Sequence, residues 1–76
     1  MRIEKIEAKD DYTIQIKLND GRNGFFNVKP YLEYEAFRGL KELELFKQVV
    51  NGGYFIEWSC GADLSLDTIE AHLQTI

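Results

Sequence analysis

"DYTIQIKLNDGRNGFFNV", residues 11–28, decides the fold. Tyr12, Ile14, Ile16 and Leu18 fall on one parity and Thr13, Gln15 and Lys17 on the other. That alternation has the period of a strand with one buried face. Asp20-Gly21 and Asn23-Gly24 follow, pairs that supply the left-handed backbone a hairpin turn needs. Phe26 and Val28 then continue a returning strand. Upstream, Arg2 to Lys9 is rich in strand formers, but Ile3 and Ile6 have opposite parity, so a bulge or a change of neighbour is expected between them. Three antiparallel strands are predicted, ending before Pro30, which cannot donate to a ladder.

Downstream the period changes. Leu40, Leu43, Phe46 and Val50 lie near helical spacing, with Leu45 and Val49 widening the apolar arc. A short helix from about Glu42 to Gln48 is predicted, after irregular turns around Tyr31 to Phe37. "VVNGGYFIEW", residues 49–58, reads as a second hairpin turned by Asn51-Gly52-Gly53, with Tyr54, Ile56 and Trp58 sharing one face. A last helix follows "CGADLS". Ser65 is its expected N-cap, Asp67 sits in the first turn where the helix dipole favours a carboxylate, and Asp67-x-x-Glu70 is a second capping option. Ile69, Leu73 and Ile76 give that helix its stripe.

The totals set the class. Seventy-six residues suit a single domain with a thin stability margin. An apolar share of 45% and an aromatic share of 13% are enough for a core, and the aromatic surplus points to rings at the surface and to self-association or a protein partner. The formal charge of −4, with no run of Lys or Arg, argues against direct nucleic-acid binding by this domain alone. A stacking platform for single strands also needs a basic groove, which the sequence lacks. "NDGRNG" and "NGG" have no following helix or lysine to make a phosphate loop. One cysteine forms no internal disulfide, and no apolar run approaches a membrane span, so a cytoplasmic location is expected.

The carboxyl-terminal stretch holds the only candidate chemistry. Cys60, Asp63, Asp67 and His72 mix a soft thiolate, hard carboxylates and an imidazole, which matches no common structural zinc pattern. Residues five apart on a helix point to different sides, which separates Asp67 from His72. A reactive thiolate needs positive charge nearby, and only acids are near Cys60 in sequence. The same residues read more simply as the start of a helix. Asp63 can accept N–H bonds from the turn, and Gly61 takes a conformation other residues avoid. His72 is a rim residue beside Leu73. No catalytic residue, metal or cofactor is therefore expected. The alternative is a small metal- or thiol-dependent hydrolase-like enzyme using Cys60, Asp63 and His72.

"DDYTIQIKLNDG", "FFNVKPYL", "AFRGLKELELFKQV" and "IEWSCGADLSLDTI" together resemble the bacterial domain-of-unknown-function family numbered 2442. Trp58 through Gly61-Ala62-Asp63-Leu64-Ser65 is the most specific part of the resemblance. It implies a small α+β domain, which some larger members carry in front of a helix-turn-helix. Others are encoded beside a small partner, in an arrangement similar to toxin–antitoxin pairs. A regulatory or partner-binding role follows from that setting, with no catalytic residues to transfer. This chain departs from the pattern at Glu42-Leu43 and Ser65-Leu66, where family members often have Asp-Pro and Ser-Pro. Both are places where proline would begin a helix.

The expectation is thus one α+β domain over residues 1–76, an antiparallel sheet of about four to six short strands with two helices packed on one face. It would act by contact and not by catalysis, as a protein-binding or antitoxin-like module that meets a protein partner or forms a homo-oligomer. Phe25, Phe55, Trp58 and Asp63 are its expected contact residues.

Overall fold

The computed structural model describes residues 1–75. The place given to Ile76 in the helical stripe lies outside them. In chain order the elements are β1 (Ile3–Ala8), β2 (Thr13–Leu18), β3 (Asn23–Asn27), 3-10 helices at Lys29–Glu33 and Glu35–Lys41, and α1 (Leu43–Phe46). Then come β4 (Val50–Asn51), β5 (Phe55–Glu57), β6 (Asp63–Ser65), α2 (Leu66–His72) and β7 (Gln74–Thr75). The fold is α+β, with the strands divided between two antiparallel sheets. One has the order β1-β2-β3-β7 and the other β4-β5-β6. Among the described residues, no helix is long and apolar enough to cross a membrane.

Ile14, Ile16 and Leu18 are wholly buried and face the core with Phe26 and Val28. Burying each such side chain stabilises the fold by roughly 1.5–3 kcal/mol. The parity conflict in β1 is resolved by a register shift between Ile3 and Lys5, which leaves Ile3 opposite Leu18 and Ile6 opposite Ile16. The second hairpin does not extend the first sheet. Its turn closes only the start of β1, where the Ile3 N–H donates to the Gly53 carbonyl at 2.6 Å and Asn51 Nδ2 donates to the Ile3 carbonyl at 3.1 Å.

Three hairpins use the same turn. Tyr12 N–H donates to the Lys9 carbonyl while Lys9 N–H donates to Thr13. Gly21 to Leu18 with Leu18 to Arg22, and Gly61 to Trp58 with Trp58 to Ala62, repeat the pattern. Each is a three-residue loop, a tight turn followed by one left-handed residue. Those residues are Tyr12 (φ 64°), Gly21 (φ 95°) and Gly61 (φ 94°). Asp11 and Asp20 brace the first two by accepting from the backbone N–H two residues on, at 3.3 and 3.0 Å. Gly24, expected to be left-handed, instead continues β3. A Cβ there would lie 2.5 Å from the Gln74 carbonyl oxygen, so glycine is what admits β7.

The middle segment follows the predicted order of irregular turns and a short helix, and Leu40 and Phe46 are buried. The apolar arc closes earlier than expected. Leu45 is exposed on the side of α1 away from buried Phe46, and Val50, beyond the helix, stands on the outer face of β4. Tyr54 likewise lies at the turn, 63% exposed, and does not share the face of Ile56 and Trp58. Leu73 ends α2 and packs at the core margin before β7 pairs with β3.

The turn carboxylates give the fold a defined acid sensitivity. The Thr13 hydroxyl holds Asp11 below the ordinary carboxylate value of 3.8, and the Arg22 backbone N–H does the same for Asp20. A lowered folded-state value means the contribution is present above 3.8 and lost as pH falls through the folded value. We expect urea midpoints to drop between about pH 5 and pH 2, and the drop to be shallower in Asp20→Asn. Equal slopes for the two proteins would remove the turn as its source.

Candidate functional site

Trp58 begins the most specific motif and is buried, 3% exposed. Its Nε1–H donates to the Phe46 carbonyl at 2.8 Å, at the carboxyl end of α1, where helical carbonyls lack intrahelical partners. The indole stacks on Phe46 with centroids 6.1 Å apart and meets Phe37 edge-on at the same distance. Of the four expected contact residues, Trp58 is therefore core.

The rest of the motif turns the chain and starts α2. Cys60 is exposed at the tip of the β5–β6 hairpin, over Gly39, and is the middle residue of the repeated turn. Ala62 and Leu64 point inward, and Asp63 is exposed on β6. Ser65 caps α2 as expected, its Oγ accepting from Thr68 N–H at 3.3 Å. Among the described residues Asp63 makes no side-chain hydrogen bond, so the turn is held without it. The second capping option is not used. Glu70 instead accepts from Arg22 Nη2 at 3.2 Å, and the Glu70 hydrogen bond, with that of Asp20, raises the guanidinium above its ordinary value.

The candidate chemical residues are not brought together. His72, at the far end of α2, lines a recess with Asn27, Pro30, Tyr31, Tyr34 and Gln74. Cys60 packs against the second 3-10 helix instead. Among the described residues no group of three His, Cys, Asp or Glu side chains is placed to hold a metal ion.

What the structure does assemble is a face. Val50, Glu57 and Asp63 lie in register across β4, β5 and β6, and Phe55 opposite Ser65 forms the next row on the same side. Ile56 and Leu64 occupy the inner side. Phe55 is 39% and Val50 54% exposed. The Phe55 ring lies flat on Gly52, where a Cβ would sit 2.4 Å from its Cζ, so the glycine is the floor under the ring. Glu57 and Asp63 make no ion pair among the described residues. Phe25 is apart from this face, on the outer side of β3 between Gln15 and Gln74. The sequence pattern assigns Val50 to the apolar helical arc and gives Glu57 no role, although Glu57 shares the parity of Phe55 and both alternate with buried Ile56.

The class defined here is a small two-sheet α+β domain whose exposed aromatic and carboxylate side chains converge on a sheet face. The chain belongs to the family described as protein of unknown function, DUF2442, whose pattern matches residues 3–75. No curated protein and no solved structure matches it.

Two sets of variants separate scaffold from surface in this motif. Trp58→Phe keeps a ring but leaves the Phe46 carbonyl unpaired, and we expect a loss of about 1–3 kcal/mol in chemical denaturation. Trp58→Ala should lose about 3–5 kcal/mol, a large part of the stability of so small a domain. Gly61→Ala forces a left-handed alanine and should cost about 1 kcal/mol. Cys60→Ser and Asp63→Asn should fall within about 0.5 kcal/mol of the parent.

Proposed function

We propose that the protein is a contact module of the bacterial cytoplasm, which regulates a protein partner by binding it and performs no catalysis. The observation that carries this reading is the outward face of β4–β6, with Phe55 and Val50 open beside the carboxylates of Glu57 and Asp63, which make no ion pair among the described residues. Aromatic side chains in partly open settings anchor protein interfaces, and surrounding charge selects the partner and speeds encounter. The matching surface is an apolar side chain flanked by Lys or Arg. A net charge of −4 favours the same sign of partner. Such a surface suits an antitoxin-like role, in which an acidic domain covers a basic patch of the protein encoded beside it.

Co-expression with the product of the adjacent gene tests this directly. We expect a complex that survives gel filtration. Phe55→Ala should weaken it by about 2 kcal/mol, roughly thirty-fold, as expected for an interface anchor. Glu57→Lys should chiefly slow association and reduce its salt dependence. Absence of a complex, or a complex indifferent to both substitutions, would sink the proposal.

A further inference from the structure

Among the described residues, β1 is the longest open strand edge. β7, the opposite edge of its sheet, is Gln74–Thr75 only, and in the second sheet β4 and β6 span Val50–Asn51 and Asp63–Ser65. The first residue of the β1 edge is already occupied, since Ile3 bonds to Gly53 and Asn51. Beyond the bulge the edge has no main-chain partner among the described residues.

The ladder fixes which groups face outward. Lys9 N–H donates to the Thr13 carbonyl at 2.8 Å, so Lys9 belongs to the set that bonds β2. In an antiparallel ladder alternate residues face the same neighbour. Lys5, Glu7 and Lys9 therefore direct their main-chain groups to β2, while Ile6 and Ala8 direct theirs away from it. The side chains divide the same way. Ile6 and Ala8, opposite Ile16 and Ile14, are half-buried on the core side, and Lys5 and Glu7 are exposed on the outer face.

The charges along this edge are unbalanced within one chain. Lys5 stands directly across from Lys17, and like charges in that position destabilise a sheet. Lys17 reaches Glu4 at 3.5 Å and Lys9 reaches Glu7 from the turn end, whereas Lys5 has no carboxylate within ion-pair distance among the described residues.

We propose that β1 pairs antiparallel with β1 of a second copy, about a two-fold axis at Ile6, joining the two four-stranded sheets into one. In this register Ile6 exchanges both main-chain hydrogen bonds with the partner's Ile6, and the two side chains meet on the core side. Lys5 lies opposite the partner's Glu7, and Glu7 opposite the partner's Lys5. The contact is self-complementary, as a two-fold interface must be. The neighbouring registers are excluded by charge and polarity. Centring on Glu7 sets Glu7 against the partner's Glu7 and Lys5 against the partner's Lys9. Centring on Ala8 pairs Glu7 with the partner's Lys9, but it sets Ile6 against the partner's Asp10 and runs Lys5 past the strand to Asp11 in the partner's turn, giving up the Ile6–Ile6 contact. The interface is small, of the transient class, so the association is concentration-dependent. It uses a different sheet from the β4–β6 face and does not rest on that face having a partner.

Sedimentation equilibrium of the full chain, up to about 1 mM, reads the association, with circular dichroism to check folding. The parent protein should dimerise reversibly. Lys5→Glu and Glu7→Lys should each weaken the dimer at least about ten-fold, because both symmetric pairs turn from attractive to repulsive. The double variant Lys5→Glu/Glu7→Lys should recover to within about three-fold of the parent. An equimolar mixture of the two single variants should form a heterodimer tighter than either self-association, since each then carries the other's complement; this readout requires both to be folded. Phe55→Ala should leave all of these values unchanged. A parent that stays monomeric throughout, a double variant no better than the singles, or a mixture that does not associate overturns the proposal.

Discussion

The hydrogen bond from the Trp58 indole to the Phe46 carbonyl fastens the second sheet to the middle segment, and ring contacts extend from both of its partners. Phe46 also meets Tyr12 with centroids 5.2 Å apart, and Tyr12 belongs to the β1–β2 turn. On the other side Trp58 leads through Phe37 and Tyr31 to Phe26 on β3. A continuous series of rings thus runs from one end of the first sheet, through the second, and back. Two small sheets that share no ladder need such a bridge, because neither has enough apolar area to be stable alone. Edge-on and offset ring contacts add about 0.5–1.5 kcal/mol each to the burial of their area.

Tyr12 shows how local strain and tertiary packing are balanced. The other two hairpins place glycine at the left-handed position, whereas the first places a tyrosine there. That backbone costs on the order of 1–3 kcal/mol for a bulky side chain. The ring contact with Phe46 and the hydroxyl donating to the Lys41 carbonyl contribute amounts of the same order. The strained residue is kept because its side chain packs on Phe46 and bonds the main chain of the middle segment. Glycine would relax the turn and release the first hairpin from the 3-10 helix ending at Lys41.

Much of this was legible from alternation and turn chemistry. The three leading strands, the bulge, the short middle helix and the Ser65 cap all depend on contacts within a few residues, which a sequence displays. The division into two sheets did not show, because it depends on the Asn51-Gly53 turn meeting Ile3, a contact between segments far apart in the chain. Gly24 was misread for the same reason. Its neighbour β7 arrives from the far end of the chain, so the glycine looked like a turn residue when its purpose is close approach. The aromatic surplus points to rings at the surface, and Trp58, expected among them, is buried. Six rings of the surplus in fact form the bridge, and the ones left exposed are Phe25, Tyr34, Tyr54 and Phe55.

That accounting changes what the surface can be. With the indole inside, the apolar side chains left on the outside are few, and most stand alone, as is ordinary for a protein surface. Phe25 has polar neighbours on both adjoining strands, so nothing around it adds to its area. Phe55 differs because Gly52 removes the side chain that would have covered its plane, and because Val50 and two carboxylates share its side of the sheet. An open aromatic held flat on a glycine loses little rotamer freedom when a partner covers it, which lowers the entropy cost of association. The same residue standing free on a strand would have to be ordered first. The β5 face is thus preorganised by a hairpin whose glycine serves the contact surface as much as the turn.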